Sequence, residues 1–194
     1  MKLFVFTDSH GKASIINKLK KSNADLFICL GDFTLFGSNQ KKILKDFNSL
    51  NKKMILIHGN HESWTEIKND VKNLKNIIFL YRNIHRHENI LFAGYGGGGF
   101  SFKEKFFKHL EKEVKKNLKK DDNIILLTHG PPYGTKLDLI DGIHIGCEDY
   151  THFIKKYHPK YAFSGHIHEN ANIKDFKHKT ILINPGSKGV EIIL

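Results

Sequence analysis

Apolar residues in this chain come in short bursts, and each burst stops within a residue or two of glycine, serine or threonine. Leu3–Phe6, Leu26–Leu30, Met54–Ile57, Ile124–Leu127 and Tyr161–Phe163 are too short for helices and read as buried strands feeding polar loops. Strands are expected near 2–7, 25–30, 53–58, 77–80, 90–94, 123–128, 161–164, 180–183 and 190–194. Between them the apolar spacing lengthens, and helices are expected near 12–21, 39–50, 62–74, 102–119 and 147–157. The clearest is 102–119, where Phe102, Phe106, Leu110, Val114 and Leu118 recur every four residues among Lys and Glu. Strands alternating with helices define an α/β fold. With 194 residues, 40% of them hydrophobic, and no linker, low-complexity tract or repeat, residues 1–194 are expected to form one domain.

The polar residues at the end of each burst carry the chemistry. Asp8-Ser9-His10, Gly31-Asp32, Gly59-Asn60-His61, His129-Gly130 and Gly165-His166-Ile167-His168 all sit where a strand should end. Ligand groups converge at strand ends in open α/β sheets. Asp carboxylate, His imidazole and Asn carbonyl suit Mn, Fe, Ni, Co or Zn rather than copper or an iron–sulfur cluster. Two such ions about 3.5–4 Å apart can clamp the attacking and leaving oxygens at phosphorus. Residues two apart in extended backbone share a face, so Asp8 with His10, and His166 with His168, are expected to turn toward one pocket. Asp8 alone could cap the helix expected at 12–21, and Asn60 alone could be a turn residue. The conjunction of all the clusters argues otherwise. His85, His87, His109, His144, His152, His158 and His178 stand outside it and read as ordinary surface or core residues.

In this order the clusters resemble the five blocks of the calcineurin-like metallophosphoesterases: Asp8-x-His10, Gly31-Asp32, Gly59-Asn60-His61-Glu62, His129 and Gly165-His166-x-His168. The resemblance runs from residue 3 to about residue 187 and includes the Asn184-Pro185-Gly186-Ser187 turn. Gly31-Asp32-Phe33-Thr34 and Thr128-His129-Gly130-Pro131-Pro132 further resemble the branch containing the mammalian brain metallophosphoesterase-domain proteins. The resemblance implies a four-layer α/β/β/α sandwich of two mixed sheets. It implies two divalent transition-metal ions, the first held by Asp8, His10 and His168, the second by Asn60, His129 and His166, with Asp32 bridging. It also implies in-line attack on a phosphoester by hydroxide that the metals make available. His61 is then a catalytic residue over the phosphate, not a ligand. Many relatives orient that histidine with a second Asp three residues past the bridging one, and here the position is Leu35. Glu62 is the nearby carboxylate that could substitute.

Other signals add less. Gly94-Tyr95-Gly96-Gly97-Gly98-Gly99 satisfies a dinucleotide-binding pattern, but no acidic residue ends a following strand, and a flexible loop rimming the metal site or a plain turn fits better. The net charge of +11 permits nucleic acid as a partner. Of the 31 basic residues only Arg82 and Arg86 are arginine, the side chain favoured for phosphate and base recognition. A small phosphoester is therefore the favoured substrate over a polymer. A non-catalytic scaffold of the same fold should have lost ligands, and none is lost. Lys136, shortly after His129, is a candidate contact for substrate phosphate. No apolar stretch is long enough to span a membrane. Cleavage of a secretory leader would remove Asp8 and His10, and two unclustered cysteines suit a reducing compartment, so a cytoplasmic location is expected.

Overall fold

Successive strand side chains point to opposite faces, and that two-residue rhythm decides the layers here. The computed structural model describes residues 1–194. The chain begins with β1 (Lys2–Phe6), α1 (Ser14–Lys21), β2 (Leu26–Cys29), α2 (Gln40–Asn48), β3 (Met54–Leu56), α3 (Trp64–Asp70) and β4 (Ile77–Phe79). It continues with β5 (Asn83–His87), β6 (Ile90–Tyr95), α4 (Phe107–Asn117), β7 (Asn123–Thr128), β8 (Leu139–Ile140), β9 (Ile143–His144) and α5 (Glu148–Tyr157). It closes with β10 (Tyr161–Phe163), β11 (Lys174–Lys177), β12 (Thr180–Ile183) and β13 (Val190–Ile193).

Two large mixed sheets result. The first has the order β13-β1-β2-β3-β4, all parallel except the edge strand β13. The second has the order β11-β12-β10-β7-β6-β5, with antiparallel strands at both edges and parallel strands between. Leu3, Val5, Ile28 and Ile55 from the first sheet meet Phe92, Ile125, Leu127 and Phe163 from the second in a dry central layer. The alternate residues Phe4, Phe6, Phe27 and Leu56 face outward onto Ile15, Leu19, Leu44, Phe47 and Ile67 of α1–α3. Across the molecule Leu91, Ala93, Leu126 and Leu182 pack on Leu110 and Val114 of α4 and Phe153 and Ile154 of α5. Each large apolar side chain buried this way contributes roughly 1.5–3 kcal/mol relative to exposure. The expected α/β/β/α sandwich is the observed one.

Five elements differ from the sequence expectation, two of them the short hairpin strands β8 and β9, where no strand was expected. Residues 82–87, a basic stretch outside every strand expected above, are mostly strand: β5 pairs antiparallel with β6, and Arg86 grips Asp122 through both terminal guanidinium nitrogens at 2.5 and 2.8 Å. The polar edge strand β11 was likewise invisible to an apolar-burst criterion. The helix expected from 102 begins only at Phe107. Before it, the Phe102 carbonyl accepts from Glu148 N–H at 2.9 Å, and Glu104 N–H donates to Asp149 Oδ2 at 2.7 Å. Those backbone groups are committed to α5, which overrides the four-residue periodicity. No helix is long and apolar enough to cross a membrane.

Candidate metal centre

Because the inner strands are parallel, β1, β2, β3, β7 and β10 all release their chains along one rim, where the two sheets meet. The loops carrying Asp32 and Asn60 pass back to back. A Cβ on Gly31 would collide with the Gly59 backbone, and one on Gly59 with the Asp32 carboxylate, so both positions need glycine. Glu62 ties these loops together. Its carboxylate accepts from the backbone N–H groups of Asp32, Thr34 and Gly59 and from the Thr34 hydroxyl, all at 2.8–2.9 Å. With its oxygens so committed it does not orient His61, the role the sequence suggested for it.

Two donor triads form. Asp8, His10 and His168 make one, and Asp32, His129 and His166 the other, with candidate ligand atoms in each within 4.8 Å of one another. They are joined by Asp8 Oδ2, which accepts the His166 backbone N–H at 3.0 Å. Asn60 Oδ1 lies 3.0 Å from His129 Nε2, so Asn60 belongs to the second group. The side chains converge through tight turns rather than through extended backbone. Asp8, His10, Asp32 and His166 have φ of 53, 44, 48 and 68°, a left-handed conformation costly for non-glycine residues and concentrated at functional sites.

Second partners select the ligating atom. His129 Nδ1–H donates to the Leu30 carbonyl at 2.9 Å, leaving Nε2 facing Asp32 Oδ2 at 3.4 Å. His10 Nδ1–H donates to the Thr34 carbonyl at 3.2 Å, leaving Nε2 3.1 Å from His168 Nε2. Asp32 Oδ1 accepts the His61 N–H at 2.9 Å, which frees Oδ2. Backbone partners fix metal-binding tautomers in this way.

The fit to cations can be read from polar atoms that otherwise make no sense. Asp8 Oδ1 and His166 Nε2 are buried and have no hydrogen-bond partner. Such groups are costly unless something polar faces them. Burial pushes the Asp8 carboxyl upward. Burial also pushes Asp32 upward, but the hydrogen bond and charge of His129 outweigh it and hold Asp32 at about 2. For His129, burial lowers the pKa while Asp32 raises it more, to about 9. A cation here therefore competes with a proton shared by that pair. Burial, joined by repulsion from His129, takes His166 down to about 4, and burial also lowers His10. Both shifts favour the neutral ring, the form that coordinates metal. The residues fit two divalent ions.

His61 lies beside the centre with Nε2 3.8 Å from Asp32 Oδ2, and His10, Asp32 and His61 also approach within 4.8 Å. The glycine loop after β6 packs on the site. A Cβ at Gly99 would sit 3.1 Å from the His166 ring, and Gly97 N–H donates to the His58 carbonyl. A cleft of about 180 Å³ opens beside Asp8, His10 and His168 and is lined also by Lys12 and Ser187. Lys136 is not drawn in: it is exposed, and its backbone N–H is bound to Asp175 on β11. His58, Lys12 and Thr34 were not among the residues expected at the site. Only the position of Lys12, two residues past His10, could have flagged one of them.

A donor array of this kind at the rim of an α/β/β/α sandwich is that of a metal-dependent phosphoesterase. The calcineurin-like phosphoesterase model matches residues 1–170, and the chain belongs to that family. An uncharacterized protein of Methanocaldococcus jannaschii is 31% identical over 205 residues, covering 97% of this chain and 89% of the relative. TT1561 of Thermus thermophilus has a similar structure, with a TM-score of 0.73 at 14% identity, covering 96% of this chain and 89% of that one. A dimetal phosphatase from Danio rerio superposes with a TM-score of 0.59 at 9% identity, covering 94% and 86%. At such identities the structures speak for the fold alone.

Proposed function

We propose that the chain hydrolyses small phosphomonoesters or phosphodiesters, nucleotides included, at a dinuclear centre. The observation that carries this is the pair of adjacent donor triads, Asp8-His10-His168 and Asp32-His129-His166, each of which contains a buried donor atom with no hydrogen-bond partner. Asp8, His10 and His168 would hold one ion, and Asn60, His129 and His166 the other, with Asp32 shared between them. Two divalent ions, when bound, supply the positive charge and the activated water that hydrolysis needs.

The protein's own groups do the rest. Asp32, with its carboxylate between the two groups of donors, would screen the charges of the ions they hold. His61 points a ring nitrogen into the site, where it can donate to a phosphoryl oxygen as charge builds. Lys12 lines the cleft and can meet a second anionic oxygen. A cleft of about 180 Å³ suits a phosphoryl group with a small ester better than a polymer strand. The two buried thiols, Cys29 and Cys147, are unpaired and agree with a cytoplasmic home.

The test is hydrolysis of nitrophenyl phosphate and bis-nitrophenyl phosphate after metal stripping and reconstitution. Activity is expected with Mn or Ni, and little with Mg, which favours oxygen-rich sites. Full turnover after exhaustive chelation, or none with any of Mn, Fe, Co, Ni and Zn, would refute the reading.

A further inference from the structure

Phe36 is a misplaced residue by ordinary rules. The residue is 78% exposed and its φ is 49°. A left-handed backbone is costly for a bulky residue, and packing in the core does not compensate it here.

What the residue touches is His61. The Phe36 backbone N–H donates to His61 Nδ1 at 3.2 Å. The two rings stack with centroids 4.2 Å apart and planes 22° from parallel. Phe36 holds its place because the next residue is anchored: Gly37 N–H donates to Thr34 Oγ1 at 3.0 Å, and that hydroxyl donates to Glu62 at 2.8 Å. Leu35 is an exposed apolar side chain and offers Nδ1 no acceptor.

We propose that Phe36 is a positioning residue for His61. Its N–H fixes the tautomer and its ring fixes the plane. An amide donor at Nδ1 requires a lone pair there, so the single proton of the neutral imidazole sits on Nε2, facing the site beside Asp32. An imidazole so held gives a hydrogen bond to a phosphoryl oxygen. Giving up that proton would leave an imidazolate, so His61 stabilises developing charge rather than protonating the leaving oxygen. The catalytic consequence rests on the phosphoesterase reading; the tautomer does not.

The decisive measurement is ¹⁵N NMR of imidazole-labelled, zinc-loaded protein, with His61 assigned through His61→Gln. Nε2 is expected to be protonated and Nδ1 to carry the lone pair. Phe36→Ala keeps the amide, but without the stacked ring to hold its plane the imidazole can turn away from that amide, so the two tautomers should mix, and Phe36→Trp should restore the single form. With an active enzyme, Phe36→Ala should lower kcat by roughly 10- to 100-fold, as for other small misplacements, with metal content and KM unchanged. The same change in the His61→Gln background should do nothing further. A proton on Nδ1 in the parent protein, or an equal loss from Phe36→Ala with and without His61, would overturn the proposal. If every metal form were inactive yet the tautomer were as expected and responded to Phe36, the phosphoesterase reading would fall and the positioning role would stand.

Discussion

The two halves of the candidate metal centre use the same kinds of donor but differ in how firmly they are held. Around Asp32, the His129 side chain is fully buried, locked by the Leu30 carbonyl, and His166 is pressed between the glycine loop and its neighbours. Around Asp8, the His168 side chain is 59% exposed and the cleft opens directly onto it. Ordering an exposed side chain around an ion costs conformational entropy that a locked one has already lost on folding. The inner half should therefore hold its ion tightly, and the outer half should exchange its ion and meet the substrate.

Removing the shared carboxylate should erase that contrast and have the largest effect. Asp32→Ala is expected to weaken both ions by more than about 100-fold, beyond the usual span for mere outer-shell partners. Elemental analysis after dialysis would show it. Two tightly held ions in that variant would contradict the bridging assignment.

The contrast itself is sharpened by one substitution in each half. His129→Ala leaves the buried Asp32 carboxylate without its partner, and metal-free stability should fall by about 3 kcal/mol, the range for breaking a buried ion pair. Its inner ion should also be lost. His168→Ala, at an exposed position, should change metal-free stability by no more than about 0.5 kcal/mol while weakening only the outer ion. Urea unfolding with parallel metal titration distinguishes the two, and equal losses in both variants would abolish the asymmetry.

A smaller, pH-dependent effect probes the packing behind the inner half. Burial, then repulsion from His129 and Arg82, lowers His58 to about 4. Its folded-state pKa lies below the unfolded value near 6.5, so the unfolded chain binds the extra proton more readily. Wild type should thus lose stability through this group as pH falls from about 6.5 to about 4. His58→Gln lacks that loss, and the stability gap between the two proteins should close by up to about 3 kcal/mol at about pH 4, since a tenfold change in proton affinity is worth about 1.4 kcal/mol. A gap that stays the same from neutral pH down to that acidity would mean that His58 is not held neutral.

Much of the fold was legible because its strands are apolar bursts with clean ends. Among the strands that escaped, β5 and β11 are polar edges whose pairing partners, not their own composition, make them strands, and β8 and β9 are two-residue strands that pair only with each other. The false start of α4 had the opposite cause: Phe102 and Phe106 continue the apolar period, yet the backbone around them is bonded to α5. At the centre, the donor residues could be named from their positions after strands. The clamp made by Glu62 could not, since that role exists only once Asp32, Thr34 and Gly59 bring their N–H groups to one carboxylate.

By itself the sequence determined the chemical inventory: which donors exist, that they follow strands, and that their order matches a phosphoesterase family. Those properties are local, set by residue type and hydrophobic rhythm. Tertiary structure alone decided which nitrogen of each histidine faces the site, which half is buried, and that Phe36 stands against His61. The Leu30 carbonyl that orients His129 lies 99 residues away in the chain, and no local pattern records such a contact. Hydrogen bonds between distant loops form only when the two sheets close on their shared core, and that closure turns a set of donors into a site.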